Sequence, residues 1–458
     1  MTLDAALSAA DRGLDAALER LFALLRIPSI STDPVYHADC VKAADWLVDE
    51  LTGLGFAASR RDTPGKPMVV ARHEAPGPKM LFYGHYDVQP VDPLELWDRK
   101  PFDPAVEDTA AGKVIRARGA ADDKGQMMTF VEAMRAWKAA TGALPGNLVL
   151  LFEGEEESGS PSLIPFLEAH REELAADIAF VCDTGMFDTD TPSITTMLRG
   201  LLAVEFAVKG PSRDLHSGLF GGPAMNPNRV LAKILSQLHD GDGRVTIPGF
   251  YDGVTPVPEE IAAGWRALDF DAAAFLGEVG LSVPAGEQGF SVLEQVWARP
   301  TAEINGMWGG YTGAGFKTVL PARASAKVSF RLVGTQDPIA IRDAFRAWIE
   351  ARLPEDFELE FVSRDGAPAT VMPTGRPEFA RARAALSAEW PNPAVFAGGG
   401  GSIPIVGRFR EILGVDSVLI GFGLDDDGIH SPNEKYSLRS FHKGIRSWVR
   451  VLDAVRAG

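Results

Sequence analysis

Leu148-Val149-Leu150-Leu151-Phe152 runs directly into Glu153-Gly154-Glu155-Glu156-Glu157-Ser158-Gly159-Ser160. The apolar run reads as a buried strand and the acidic run as the loop at its carboxyl end. Carboxylates a few ångströms apart raise one another's pKa, so Glu155, Glu156 and Glu157 are costly neighbours just beyond a strand. A multivalent cation removes that cost and inverts the local charge logic. Without the strand before it, the triplet would be most simply a solvated charge run.

Outward from this stretch, strands and helices alternate. A helix from Gly125 to about residue 140 precedes the strand, and another near 161–175 leads into Ile178-Ala179-Phe180-Val181-Cys182. Helices near 11–26 and 37–52 come first, followed by short strands at 68–72 and 79–84 on either side of Pro76-Gly77-Pro78. The pattern predicts an α/β fold, a mixed and mostly parallel sheet flanked by helices. Near Gly200 it changes. Val204, Phe206 and Val208 alternate with Glu205, Ala207 and Lys209, and Val328, Phe330 and Leu332 with Lys327, Ser329 and Arg331. Such alternation suits a sheet with one buried face. With helical stretches near 226–239 and 337–352 and a strand at 357–362, residues 199–371 read as an inserted α+β domain. The α/β pattern resumes in a helix at 377–389, a strand at 417–422 and a helix at 437–456. The main domain is thus split into 1–198 and 372–458.

At 458 residues the chain exceeds one ordinary core. Its 46% hydrophobic and 23% charged residues are those of a globular protein. A net charge of -17 argues against nucleic-acid partners and anionic membrane surfaces. Cys40 and Cys182 are the only cysteines, which argues against a secreted disulfide framework and for two buried thiols. No apolar run approaches the ~20 residues needed to span a bilayer, and Met1-Thr2-Leu3-Asp4 does not open a signal peptide. A cytoplasmic location is expected.

In open α/β sheets, ligands gather beyond the carboxyl ends of the strands. His85 follows the strand at 79–84, Glu156 and Glu157 that at 147–152, and Asp183 that at 178–182. His430, in Gly428-Ile429-His430-Ser431, follows the strand at 417–422. Asp122 lies in Arg118-Gly119-Ala120-Ala121-Asp122-Asp123-Lys124-Gly125, where a helix opens. Each has a plainer reading alone. His85 could be a structural histidine, Asp122 an acid at a helix N-terminus, and His430 a surface residue. Their coincidence at one kind of place is the stronger signal. Two imidazoles with carboxylates and no thiolate suit Zn²⁺ or another first-row dication better than Ca²⁺. A bridging carboxylate can hold two ions about 3.5–4 Å apart, and a nearby carboxylate that is not a ligand can serve as general base. His85-Tyr86-Asp87 has the form of a ligand histidine with a carboxylate that fixes its tautomer.

At these residues the chain resembles the M20 metallopeptidase family, which includes carnosinase-like dipeptidases, glutamate carboxypeptidase, acetylornithine deacetylase and succinyl-diaminopimelate desuccinylase. The resemblance spans essentially the whole chain. It implies a split catalytic domain with an inserted lid domain that forms a homodimer. It implies one metal held by His85, Asp122 and Asp183 and a second by Asp122, Glu157 and His430. Zn²⁺ is the expected ion, with Mn²⁺ or Co²⁺ as alternatives. Asp87 would orient His85, and Glu156 would be the general base. His216, in Asp214-Leu215-His216-Ser217-Gly218, matches a lid histidine that stabilises the oxyanion in the partner's site. Arg331 matches an arginine that grips the substrate's terminal carboxylate, a task for a bidentate guanidinium. Thr318, Gly401 and Ser402 match further substrate contacts.

The chain departs from the carnosinase-like pattern twice. No histidine lies between His239 and His430, and Gly399 stands where relatives carry a glutamate before the Gly-Ser pair. The expected activity is hydrolysis of dipeptides or short peptides with a free C-terminal carboxylate. N-acyl-amino-acid deacylation on the same metals is the nearest alternative. A silent peptide-binding or metal-storing scaffold is disfavoured, since mere binding does not require Glu156.

Overall fold

Four apolar segments form the centre of the first sheet: Asn147–Glu153, Lys79–His85, Ile178–Val181 and Ser417–Leu419, adjacent in that order and all parallel. Nearly every residue in them is buried, as strands covered on both faces must be. The edges are antiparallel: Met68–His73 and Ala57–Arg61 beyond Asn147–Glu153, and Ser193–Leu198 beyond Ser417–Leu419. This is the mixed, mostly parallel α/β sheet expected. The computed structural model describes residues 2–363, 366–401 and 403–456.

Helix Lys124–Thr141 packs against this sheet and is buried over most of its length. Its Phe130 ring lies 4.5 Å from Phe82 of the strand and 4.0 Å from Trp448 of helix Leu438–Arg456. Such aromatic contacts add to the area that the rings bury. Several expected boundaries move. The helix expected at 11–26 is two, Thr2–Arg12 and Leu14–Leu25, parted at Gly13. That expected near 161–175 is broken at His170 into Leu163–Ala169 and Arg171–Leu174. The strand expected at 417–422 ends at Leu419. Its continuation is drawn onto Thr184 instead, and only glycine at 421 allows that approach. A Cβ there would sit 1.8 Å from the Thr184 carbonyl oxygen. A small sheet of Ala105–Thr109, Gly112–Arg116 and Lys435–Ser437 was not foreseen.

The chain divides into two compact units. Met1–Thr196, Met372–Ala397 and Ile405–Gly458 form the first, and Met197–Val371 with Gly398–Pro404 the second. The second contains an antiparallel sheet in the order Thr301–Gly309, Arg323–Leu332, Gly200–Lys209, Glu358–Ser363. Leu202, Val204, Phe206, Val208, Val328, Phe330 and Leu332 point to its core face. Helices Pro227–Leu235 and Pro338–Glu350 cover that face with Leu231, Ile234, Phe345 and Trp348. Each such side chain contributes about 1.5–3 kcal/mol on burial. Both helices start on a capped Pro: Asn226 and Asp337 accept hydrogen bonds from Asn228 and Ile339.

Candidate metal centre

The parallel strands deliver their last residues to one edge of the first unit's sheet. His85 ends its strand fully buried, and Asp183 follows Val181 by two residues. After Glu153 the chain turns through Gly154 and Glu155 into a 3-10 turn, Glu156–Ser158. Asp122 arrives from the loop before helix Lys124–Thr141, across a cis peptide bond to Asp123.

Two groups of ligand-type atoms result, each within 4.8 Å of one another: His85, Asp122 and Asp183, and Asp122, Glu157 and His430. Asp122 belongs to both. Its carboxylate lies 3.1 Å from His85 Nε2 and 2.9 Å from His430 Nε2, and Glu157 Oε2 is 3.2 Å from His430 Nε2. His85 Nδ1 faces the Asp87 carbonyl at 3.1 Å and its carboxylate at 3.4 Å. A proton on Nδ1 therefore leaves Nε2 with a lone pair for a cation. Asp87 is itself locked, accepting from the backbone N–H groups of Glu156 at 3.2 Å and Glu157 at 3.0 Å.

The electrostatics are those of too many acids sharing two imidazoles. Burial alone would raise Asp122, but the His430 and His85 rings outweigh it and hold its carboxyl well below the usual range. Asp183 is pushed up to about 7, by burial first and then by Asp122, Glu156 and Glu157, against the pull of His85. Burial, then Glu157, Asp87 and Asp122, also raise Glu156. His430 is pushed up to about 10 by its hydrogen bonds with Asp122 and Glu157. Two buried atoms, His85 Nε2 and Glu157 Oε1, find no hydrogen-bond partner among the described residues. Buried polar atoms of this kind call for an ion or water. The donor set, its surplus negative charge and these orphaned atoms fit divalent cations.

The rest of the acidic run does other work. Glu155 turns away to accept from the backbone N–H groups of Lys66 at 2.7 Å and Ser162 at 3.1 Å. Glu153, fully buried, accepts from the Tyr83 hydroxyl at 2.6 Å. Sequence reasoning missed three residues here. Gln89 donates to Glu157 Oε2 at 2.7 Å. Glu434 and Arg118, both buried, pair at 2.7 Å beneath the Asp122 loop. The sequence signal was present in Ser431-Pro432-Asn433-Glu434, an acid four residues after the loop histidine.

The remaining expected residues lie in the second unit. His216 is exposed and pairs with Val319 in a two-residue ladder, its Nδ1 accepting from Gly218 N–H at 3.0 Å. Thr318 is exposed beside it, its carbonyl accepting from Ser217 N–H at 3.0 Å. Arg331 stands in register with Thr301 and Leu201. Its guanidinium, after burial, helps push the unforeseen Arg199 down to about 10. Arg199 Nε donates to the Gly400 carbonyl at 3.1 Å, next to exposed Gly401. Ser402 lies outside the described residues.

The chain is similar to known proteins over most of its length. The model of Peptidase family M20/M25/M40 matches residues 81–454. The Cys-Gly metallodipeptidase DUG1 of Candida albicans is 32% identical, over 94% of this chain and 92% of its own length. The human Beta-Ala-His dipeptidase is 29% identical over 80% of this chain and 73% of its own. The solved structure of the dipeptidase Dug1p from Saccharomyces cerevisiae has a TM-score of 0.81 at 28% identity, covering 100% of this chain and 99% of that one. The M20 family metallo-carboxypeptidase Sso-CP2 from Sulfolobus solfataricus reaches 0.82 at 30% identity, covering 96% and 99%. With most of its length matched by the family model and by metallodipeptidases, the chain belongs to peptidase family M20/M25/M40 and is a metal-dependent peptidase.

Proposed function

We propose that the chain hydrolyses the amide bond of dipeptides or short peptides with a free C-terminal carboxylate, using two divalent cations, Zn²⁺ before Mn²⁺ or Co²⁺. The observation that carries this reading is Asp122, common to both ligand groups. His85, Asp122 and Asp183 would hold one ion, and Asp122, Glu157 and His430 the other. Such a pair, when bound, lowers the pKa of water and polarises a carbonyl.

The chain's own residues do the rest. Asp87 fixes the His85 tautomer. Glu156, half-buried and adjacent in sequence to Glu157 yet a member of neither group, accepts the proton of the attacking water and returns it to the leaving amine. Arg331 grips the substrate's terminal carboxylate, His216 stabilises the developing oxyanion in the site of the second subunit, and Thr318, Gly401 and Ser402 add substrate contacts. These second-unit roles rest on the family resemblance.

A second reading, N-acyl-amino-acid deacylation, is favoured by Gly399, which ends strand Val395–Gly399 without a side chain for an α-ammonium. The discriminating experiment is a hydrolysis screen of dipeptides against their N-acetyl and N-succinyl analogues, with each metal added. Cleavage of free-amino dipeptides alone supports the first reading, and cleavage of the acylated series alone transfers the assignment to the second. Tight dipeptide binding with no turnover under any metal removes both.

We also propose a homodimer through the second unit. Its edge strand, Thr301–Gly309, exposes Ile304, Met307 and Trp308, an apolar edge that a monomer would normally blunt. Sedimentation as a monomer at micromolar concentration would remove this element. A cytoplasmic setting fits the two buried, unpaired cysteines. Among the described residues, no helix is long and apolar enough to cross a membrane.

A further inference from the structure

The two ligand groups are not equally supported. His85 and Asp183 stand at or beside the ends of central strands. His430 instead sits on a long loop after Leu419, in the left-handed region at φ 63, which disfavours non-glycine residues. Something must hold that loop against the one that carries Asp122. Glu434, four residues after His430 and fully buried, spans the two.

Both of its carboxylate oxygens are used. Oε2 accepts from Arg118 Nη1 at 2.7 Å and from Gly119 N–H at 3.0 Å. Oε1 accepts from Ala121 N–H at 2.9 Å and from Asp122 N–H at 3.1 Å. Arg118 is anchored in turn, Nη2 donating to the Pro90 carbonyl at 3.0 Å and its guanidinium lying 5.3 Å from the Trp97 ring. On either side of Glu434 the loop is tied to itself. Lys435 N–H donates to the Asp427 carbonyl at 2.9 Å, and Leu424 N–H to the Asp427 carboxylate at 2.7 Å.

We infer that Glu434 is a positioning residue for the second ion: by clamping the Asp122 backbone to the His430 loop it sets the spacing of these two ligands. The inference rests on the two-ion reading proposed above. Its specific claim is that the clamp governs the second ion far more than the first, because Asp122 serves both groups while the His430 loop serves only the second. Glu434→Gln keeps an acceptor oxygen but turns N–H groups toward donors, so one half of the clamp is repelled.

The test is calorimetric titration of the metal-free full chain with Zn²⁺ alone. Wild type should take up two ions. Glu434→Gln should bind the first within about 3-fold of wild type and the second about 10–100-fold more weakly, as loss of a ligand's supporting partner does. kcat should fall with little change in KM and recover when Zn²⁺ is raised. Glu389→Gln, which breaks a different buried carboxylate's bonds to Arg446 and Arg450, should lower Tm and leave both affinities unchanged. If Glu434→Gln yields no folded protein, Arg118→Lys should weaken the second ion selectively by a smaller factor. An unchanged second affinity in whichever variant folds, or equal weakening of both ions, overturns the inference. Fewer than two ions on wild type overturns the two-ion reading itself.

Discussion

Glu155, Glu156 and Glu157 are consecutive and chemically alike, yet their surroundings separate them: Glu155 anchors the loop, Glu157 stands among the ligand-type atoms, and Glu156, the proposed base, belongs to neither ligand group. What divides them is which donors each meets. Glu155 meets two backbone N–H groups, Glu157 meets Gln89 and His430, and for Glu156 burial and the neighbouring acids Glu157, Asp87 and Asp122 outweigh the pull of His85. A carboxyl whose pKa is raised by burial, then by neighbouring acids, is suited to taking and returning a proton. Glu156→Ala should therefore lower kcat by about 10²–10⁴-fold while the chain keeps its ions. Turnover near wild type with both ions bound would strip Glu156 of that role. The acidic run and its strand were legible as a cation site. The resemblance already gave Glu156 as base and Glu157 as ligand, but the contacts that separate the three were not legible, because several come from residues 68 or more positions away in sequence, such as Gln89 and Lys66.

At the scale of elements, the site depends on strand ends meeting at short range, and glycine is what permits this. The segment after Ser417–Leu419 comes so close to the one after Ile178–Val181 that a Cβ on Gly421 would lie 1.8 Å from the Thr184 oxygen and 2.3 Å from its carbonyl carbon. Backbone cannot give way as a flexible side chain can. Gly421→Ala should cost about 1–3 kcal/mol and displace the neighbouring Asp183, so Tm and activity should fall together. Gly375→Ala, where a Cβ would meet nothing within 4 Å, serves as the neutral reference. Equal melting temperatures for the two variants would refute this account. Sequence periodicity located the strand but extended it to residue 422, since apolar residues continue past the point where the pairing ends.

At the scale of the molecule, the buried acids make stability depend on ions and pH together. Asp183 and Glu434 are pushed up to about 7 and Glu153 to about 8, in each case by burial first. Folded-state values above the unfolded ones mean that this stability is fully present at low pH and lost as pH rises through the folded values. Asp122, shifted downward, contributes no slope in that interval. The ion-free chain should thus melt at progressively lower temperature from about pH 5 to about pH 7, and saturating Zn²⁺ should cancel or reverse the trend. A melting temperature that climbs over that interval without metal would contradict it. By itself the sequence determined the alternation that makes an α/β sheet, the changed periodicity of the inserted segment, and the acids and histidines placed after the strands, because these are encoded in local pattern. Only the tertiary structure showed how closely Asp122 approaches both imidazoles, that Asp87 grips the Glu156–Glu157 turn, and that Glu434 ties the His430 loop to the one carrying Asp122. Each of those contacts joins residues dozens to hundreds of positions apart, and no local periodicity records which buried donor a given carboxylate will find.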